Sequence, residues 1–186
     1  MSDPARTLLP MRSARPLALL LLLALVASIG ACAGSHGARA WAAQVCTTLS
    51  PWRSEIASLT TRTQQQIDAT TTPGQAKENL MALFGGAHDA SEQARAGVAK
   101  AGVPDVTNGK QIAASFVTSL AATRDAYGRA RTGIAALATA PSKTFYDQVV
   151  KVVDQLNQDY TASSLDTSKL NSPELKDAFD EMPECR

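Results

Sequence analysis

Beyond about position 40 the apolar residues recur every three or four positions, the spacing of one face of an α-helix. Trp41, Val45, Leu49, Trp52, Ile56, Leu59, Thr63 and Ile67 define a first helix from about Ala40 to Ala69. Pro51 removes one ladder hydrogen bond, but the apolar stripe keeps its phase across it, so a kinked continuous helix is expected rather than a restart at Ser50. Thr72-Pro73-Gly74-Gln75 reads as a capping box with proline at the first helical position. It opens a second helix to about Ala101, with Ala76, Leu80, Leu83, Ala87, Ala90, Ala94 and Val98 on one face. Gly102-Val103-Pro104-Asp105 ends that helix. A third runs over about Val106–Thr139 on Ile112, Phe116, Leu120, Thr123, Tyr127, Ala130, Ile134 and Leu137. Ala140-Pro141-Ser142 breaks the pattern, and a fourth follows with Phe145, Val149, Val152, Leu156 and Tyr160. A short fifth, Ser172–Glu181, starts at an N-cap serine followed by Pro173. No alternating apolar run flanked by hairpin turns is present. The expected fold is all-α: an antiparallel up-down four-helix bundle with a short extra C-terminal helix over residues 40–186.

The N-terminal pattern differs. Arg6, Arg12 and Arg15 precede the apolar run Leu17–Val26, which gives way to the small residues Ser28, Gly30 and Ala31. A positive segment, a short apolar segment and a small-residue zone make a secretory signal, here residues 1–31. Leu17–Ile29 falls short of the roughly 20 residues that a bilayer span needs. Ile29-Gly30-Ala31-Cys32 resembles the bacterial lipobox, with isoleucine where leucine is usual. That resemblance implies a lipid on the Cys32 thiol and cleavage before it. Cleavage at Ala31-Cys32-Ala33, an A-x-A pattern, is the alternative and would release a secreted protein. Met11 competes with Met1 as the true start. Residues 32–39 are a tether of small residues that would hold the domain close to a membrane.

Charge narrows the partners. Three of the 18 Lys/Arg and one of the 17 Asp/Glu lie before Cys32, which leaves a net charge of −1 after it. That balance argues for no nucleic acid and no polybasic membrane patch, so attachment to a membrane would rest on lipid. The three cysteines are Cys32, Cys46 and Cys185. Removing Cys32 by lipidation or cleavage leaves a pair, and in an oxidising compartment a Cys46–Cys185 disulfide is expected; two free buried thiols are the alternative.

Catalytic motifs are missing from the sequence. His36 and His88 have no metal-ligand spacing, and HExxH, CxxC, GxSxG and GxxxxGK[ST] do not occur. The expectation is therefore no enzyme, no metal and no cofactor. Trp41 and Trp52 lie on the apolar stripe, where core anchoring competes with ligand contact. Gly85-Gly86 sits inside the second helix at about 1 kcal/mol per glycine against alanine. A tight helix crossing would explain that, and so would a ligand reaching the backbone.

Ile29–Cys32, Trp41-Ala42-Ala43-Gln44-Val45-Cys46, Pro51, Ala101-Gly102-Val103-Pro104 and Pro183-Glu184-Cys185 together resemble small secreted helical lipoproteins of high-GC Gram-positive bacteria. The resemblance covers the exported part of the chain. It implies an exported, disulfide-closed helical bundle and brings no catalytic residues. The expected protein is thus monomeric, on the outer side of the cell membrane or secreted. Its expected role is non-catalytic binding of an envelope protein or cell-wall partner. The alternative is a small apolar-molecule binder using a pocket between helices near Trp41, Trp52, Gly85 and Gly86.

Overall fold

The computed structural model describes residues 37–163 and 170–185. The expected signal segment, Cys32 and the tether up to His36 lie outside the described residues. The described part is a helical bundle: α1 (Ala38–Gln66), α2 (Pro73–Lys100), α3 (Gly109–Ala136), α4 (Ser142–Ser163) and α5 (Pro173–Glu181), then a 3-10 turn, Pro183–Cys185. Among the described residues there is no β-strand.

Local chemistry sets the boundaries. At the start of α2 the Thr72 hydroxyl accepts from the Gln75 amide, and the Gln75 side chain accepts from the Thr72 amide, a complete capping box. Ser172 caps α5 by accepting from the Leu175 amide. α1 runs without interruption through Pro51, so the helix does not restart at Ser50.

The third helix begins at Gly109, three residues later than the apolar spacing suggests. Asn108 adopts φ 61° and Gly102 φ 72°, so the connection between α2 and α3 turns twice through left-handed backbone. A Cβ on Gly109 would lie 2.1 Å from the Pro104 carbonyl oxygen, a position that only glycine fills. Asn108-Gly109 is a turn dipeptide in its own right, and it is the signal that overrides the periodicity of Val106.

α2 and α3 lie at the centre, and the core falls into two clusters along them. At one end Ala94 and Val98 of α2 meet Ile112, Phe116 and Leu120 of α3, joined by Trp41 and Val45 of α1 and Leu175 of α5. At the other, Leu80 and Phe84 of α2 meet Ala126, Ala130 and Ile134 of α3 and Leu156 of α4. The early part of α2 therefore faces the late part of α3. Each large apolar side chain withdrawn from water contributes about 1.5–3 kcal/mol. Two positions differ from the sequence pattern: Phe84 is buried where Leu83 was expected, and Ala126 where Tyr127 was.

α1 packs on α2 and α5, and α4 packs mainly on α3. Among the described residues α1 and α4 make no backbone contact. α4 buries only Phe145, Leu156 and Ser163, and Val150 on its outer face is 58% exposed. Its C-terminal end is pinned to α3, where the Ser119 hydroxyl donates to the Ser163 carbonyl and Thr123 and Ser163 hydroxyls lie 3.1 Å apart. No helix among the described residues is long and apolar enough to cross a membrane.

Candidate functional site

Cys46 and Cys185 are joined by a disulfide across a sequence separation of 139. It ties the C-terminal 3-10 turn to the first third of α1, and Cys46 is buried. Beside it α5 lies on α1, where Arg39 pairs with Glu181.

The two tryptophans, about three turns apart on α1, do different things. Trp41 is fully buried. Its indole N–H donates to the Gly102 carbonyl at 3.0 Å, fastening α1 to the end of α2. Its ring meets Phe116 edge-on at 5.1 Å and Phe179 at 6.0 Å, while Phe116 and Phe179 stack at 5.6 Å. Trp41 is thus the centre of an aromatic core.

Trp52 is half-buried. Its indole N–H donates to Ser91 Oγ at 3.0 Å, and the fully buried Ser91 hydroxyl donates in turn to the Ala87 carbonyl at 2.7 Å. This chain satisfies both polar groups inside the protein and fixes the ring. Trp52 lines a groove of about 480 Å³ between α1 and α2, with Thr48, Pro51 and Glu55 on the α1 side and Gly86, Asp89, Ala90, Gln93 and Ala94 on the α2 side.

The glycine pair splits in the same way. A Cβ on Gly86 would come within 2.8 Å of a Leu59 methyl, so this glycine lets α1 approach α2. Gly86 also lines the groove. Gly85 faces elsewhere, beneath the Arg131 side chain of α3. Of the four candidate contacts, Trp52 and Gly86 come together in the groove, and Trp41 and Gly85 stand apart from it. Sequence reasoning did not single out Glu55, Asp89 or Ser91. The helical spacing of Trp52 with Glu55, and of Gly86 with Asp89 and Ala90, was the available signal.

A second groove, of about 250 Å³, lies between α3 and α4 over Ala126, Ala130, Gly133, Val152 and Leu156, with Arg129, Lys151 and Asp159 at its edge. Arg129 donates to Asp159 Oδ2 at 2.7 and 3.0 Å.

Two carboxyls with shifted titration, Glu92 and Asp159, take part in pairs between neighbouring helices. Glu92 of α2 accepts from Arg95 and from Arg124 of α3, which bring its pKa down to about 2. Arg129 likewise holds the Asp159 carboxyl below its usual range. Burial pushes the Tyr127 phenol up to about 12, with Tyr160 adding to the shift. Among the described residues no group of three or more His, Cys, Asp and Glu side chains is placed to hold a metal ion.

No family model matches the chain, and neither a curated protein nor a solved structure does so.

Proposed function

We propose that this chain is an exported cell-envelope protein, held on the outer side of the cell membrane by lipid on Cys32 and acting by binding rather than catalysis. The Cys46–Cys185 disulfide carries this reading. A disulfide suits an oxidising compartment, and it leaves Cys32 as the single remaining cysteine, directly after Ile29-Gly30-Ala31. The resemblance to small helical lipoproteins of high-GC Gram-positive bacteria points the same way. In this reading the bundle is an antiparallel up-down arrangement of four helices, open on the side between α1 and α4, with the short α5 closing α1 at the disulfide. The protein is a monomer whose partner is an envelope protein or cell-wall component.

The second reading is a small-molecule binder, favoured by the groove beside Trp52 and Gly86.

Intact mass of protein extracted from the membrane fraction tests the anchor. The wild-type protein should begin at Cys32 and carry the mass of a lipid modification, and a Cys32→Ala protein should lack it and leave the membrane fraction. A wild-type protein that begins beyond Cys32 and carries no lipid mass would reject the anchor in favour of ordinary cleavage.

A further inference from the structure

We propose that the groove between α1 and α2 binds a small organic cation, an ammonium group carried on a short apolar or aromatic stem. The inference rests on the reading of the protein as a binding module and gives that module a ligand class. Glu55 of α1 and Asp89 of α2 both line the groove, from opposite helices, and among the described residues no lysine, arginine or histidine lines it. The charged side chains that line it are therefore acidic, and a cation is their complement.

The apolar part of the lining is an aromatic ring and small side chains. The Trp52 N–H is committed to Ser91, so the ring has no donor left and offers only its π surface and edges. An indole attracts a cation through its quadrupole, most of all where the cation is partly desolvated. Ala90 and Ala94 leave room beside it, because longer side chains at those positions would fill the space. The Thr48 hydroxyl is occupied as well, donating to the Gln44 carbonyl at 2.8 Å.

Two cationic or protonatable neighbours approach the acids from outside the groove. Arg62 donates to Glu55 Oε1 at 3.3 Å, and His88 Nδ1 lies 2.9 Å from Asp89 Oδ1. Both are single contacts to one carboxylate oxygen. A volume of about 480 Å³ lies within the range of small-molecule sites, which favours a small cation over an extended chain.

The full-length chain, purified in a nonionic detergent, is titrated with benzylammonium, its neutral analogue benzyl alcohol and its anionic analogue benzoate. Tryptophan fluorescence and calorimetry report binding. Benzylammonium is expected to bind saturably, and benzyl alcohol and benzoate about tenfold more weakly or less. A Glu55→Gln, Asp89→Asn double variant should lose about tenfold in benzylammonium affinity with unchanged helical circular dichroism. Trp52→Phe should remove the fluorescence response while Trp41 emission persists. Equal affinity for benzyl alcohol and benzylammonium would overturn the proposal in favour of an apolar slot. Absence of saturable benzylammonium binding would overturn it outright, and tighter binding of a trilysine peptide would replace the small cation with a basic chain segment. The lipid mass on Cys32 is read separately, so a failed titration with the mass intact rejects the ligand class and leaves the envelope assignment standing.

Discussion

A carbon added to Gly97 would lie 2.5 Å from Thr48 Cγ2. Threonine is stiff at χ1, and the Thr48 hydroxyl is tied to the Gln44 carbonyl, so the methyl has little freedom to move away. At Gly86 the obstacle is the end of the Leu59 side chain, which swings more easily. Gly97→Ala is therefore expected to destabilise by about 1–3 kcal/mol through overpacking. Gly86→Ala should lose less, because the gain in helix propensity of about 1 kcal/mol offsets part of the clash. Urea unfolding of both variants checks this, and a larger loss at Gly86 than at Gly97 would refute the ranking. The sequence showed Gly85-Gly86 as unusual, but the separation of their roles needed the α1–α2 and α2–α3 contacts. Phe84 and Leu83 show the same limit. Both fit a three-or-four spacing, and which one enters the core depends on what α3 and α4 present opposite.

Between elements, charge pairs join helices whose facing side chains are small. Glu92 of α2 takes hydrogen bonds from Arg95 and Arg124, the latter reaching over from α3, and Asp159 of α4 takes them from Arg129 of α3. Both carboxyls are more acidic in the folded protein than in the unfolded chain. A group with a depressed folded pKa stabilises fully above its unfolded value, and that stability is lost as pH falls through the folded value. For Glu92 the window runs from about 4.5 down to about 2. Stability should therefore decline across that range, and Glu92→Gln should flatten part of the decline, as followed by urea midpoints at a series of pH values. An unchanged slope in the variant would show that the pair is too solvent-screened to matter. Helix ends were readable before the pairs were: Thr72, Pro73, Ser172 and Pro173 carry their signals within a few residues. The late start of α3 at Gly109 was readable only in hindsight, from the Asn108-Gly109 turn.

At the scale of the molecule, α1 depends on its neighbours for attachment. Among the described residues its backbone contacts α2 and α5 but not α4, and the disulfide ties it to Cys185 near the other end of the described chain. Closing a loop across a separation of 139 removes chain entropy worth about 5 kcal/mol from the unfolded state. Reduction, or a Cys46→Ala, Cys185→Ala double variant, should lower the thermal midpoint by about 10–20 °C. Thermal unfolding with and without reductant measures it, and a shift of only a degree or two would show that α5 docks on α1 without help.

Periodicity, caps and cysteine arithmetic determined the all-helical class, most helix limits and the Cys46–Cys185 bond. These depend on spacing and on contacts within a turn or two, which a sequence displays directly. Tertiary structure alone decided that α1 and α4 stay apart, that Trp41 is sealed in an aromatic core, and that Trp52 lines a groove between Glu55 and Asp89. Those outcomes follow from how closely two helices approach. Approach is the sum of many small packing terms at glycines and alanines on facing helices, and no single stretch of sequence contains both sides of that sum.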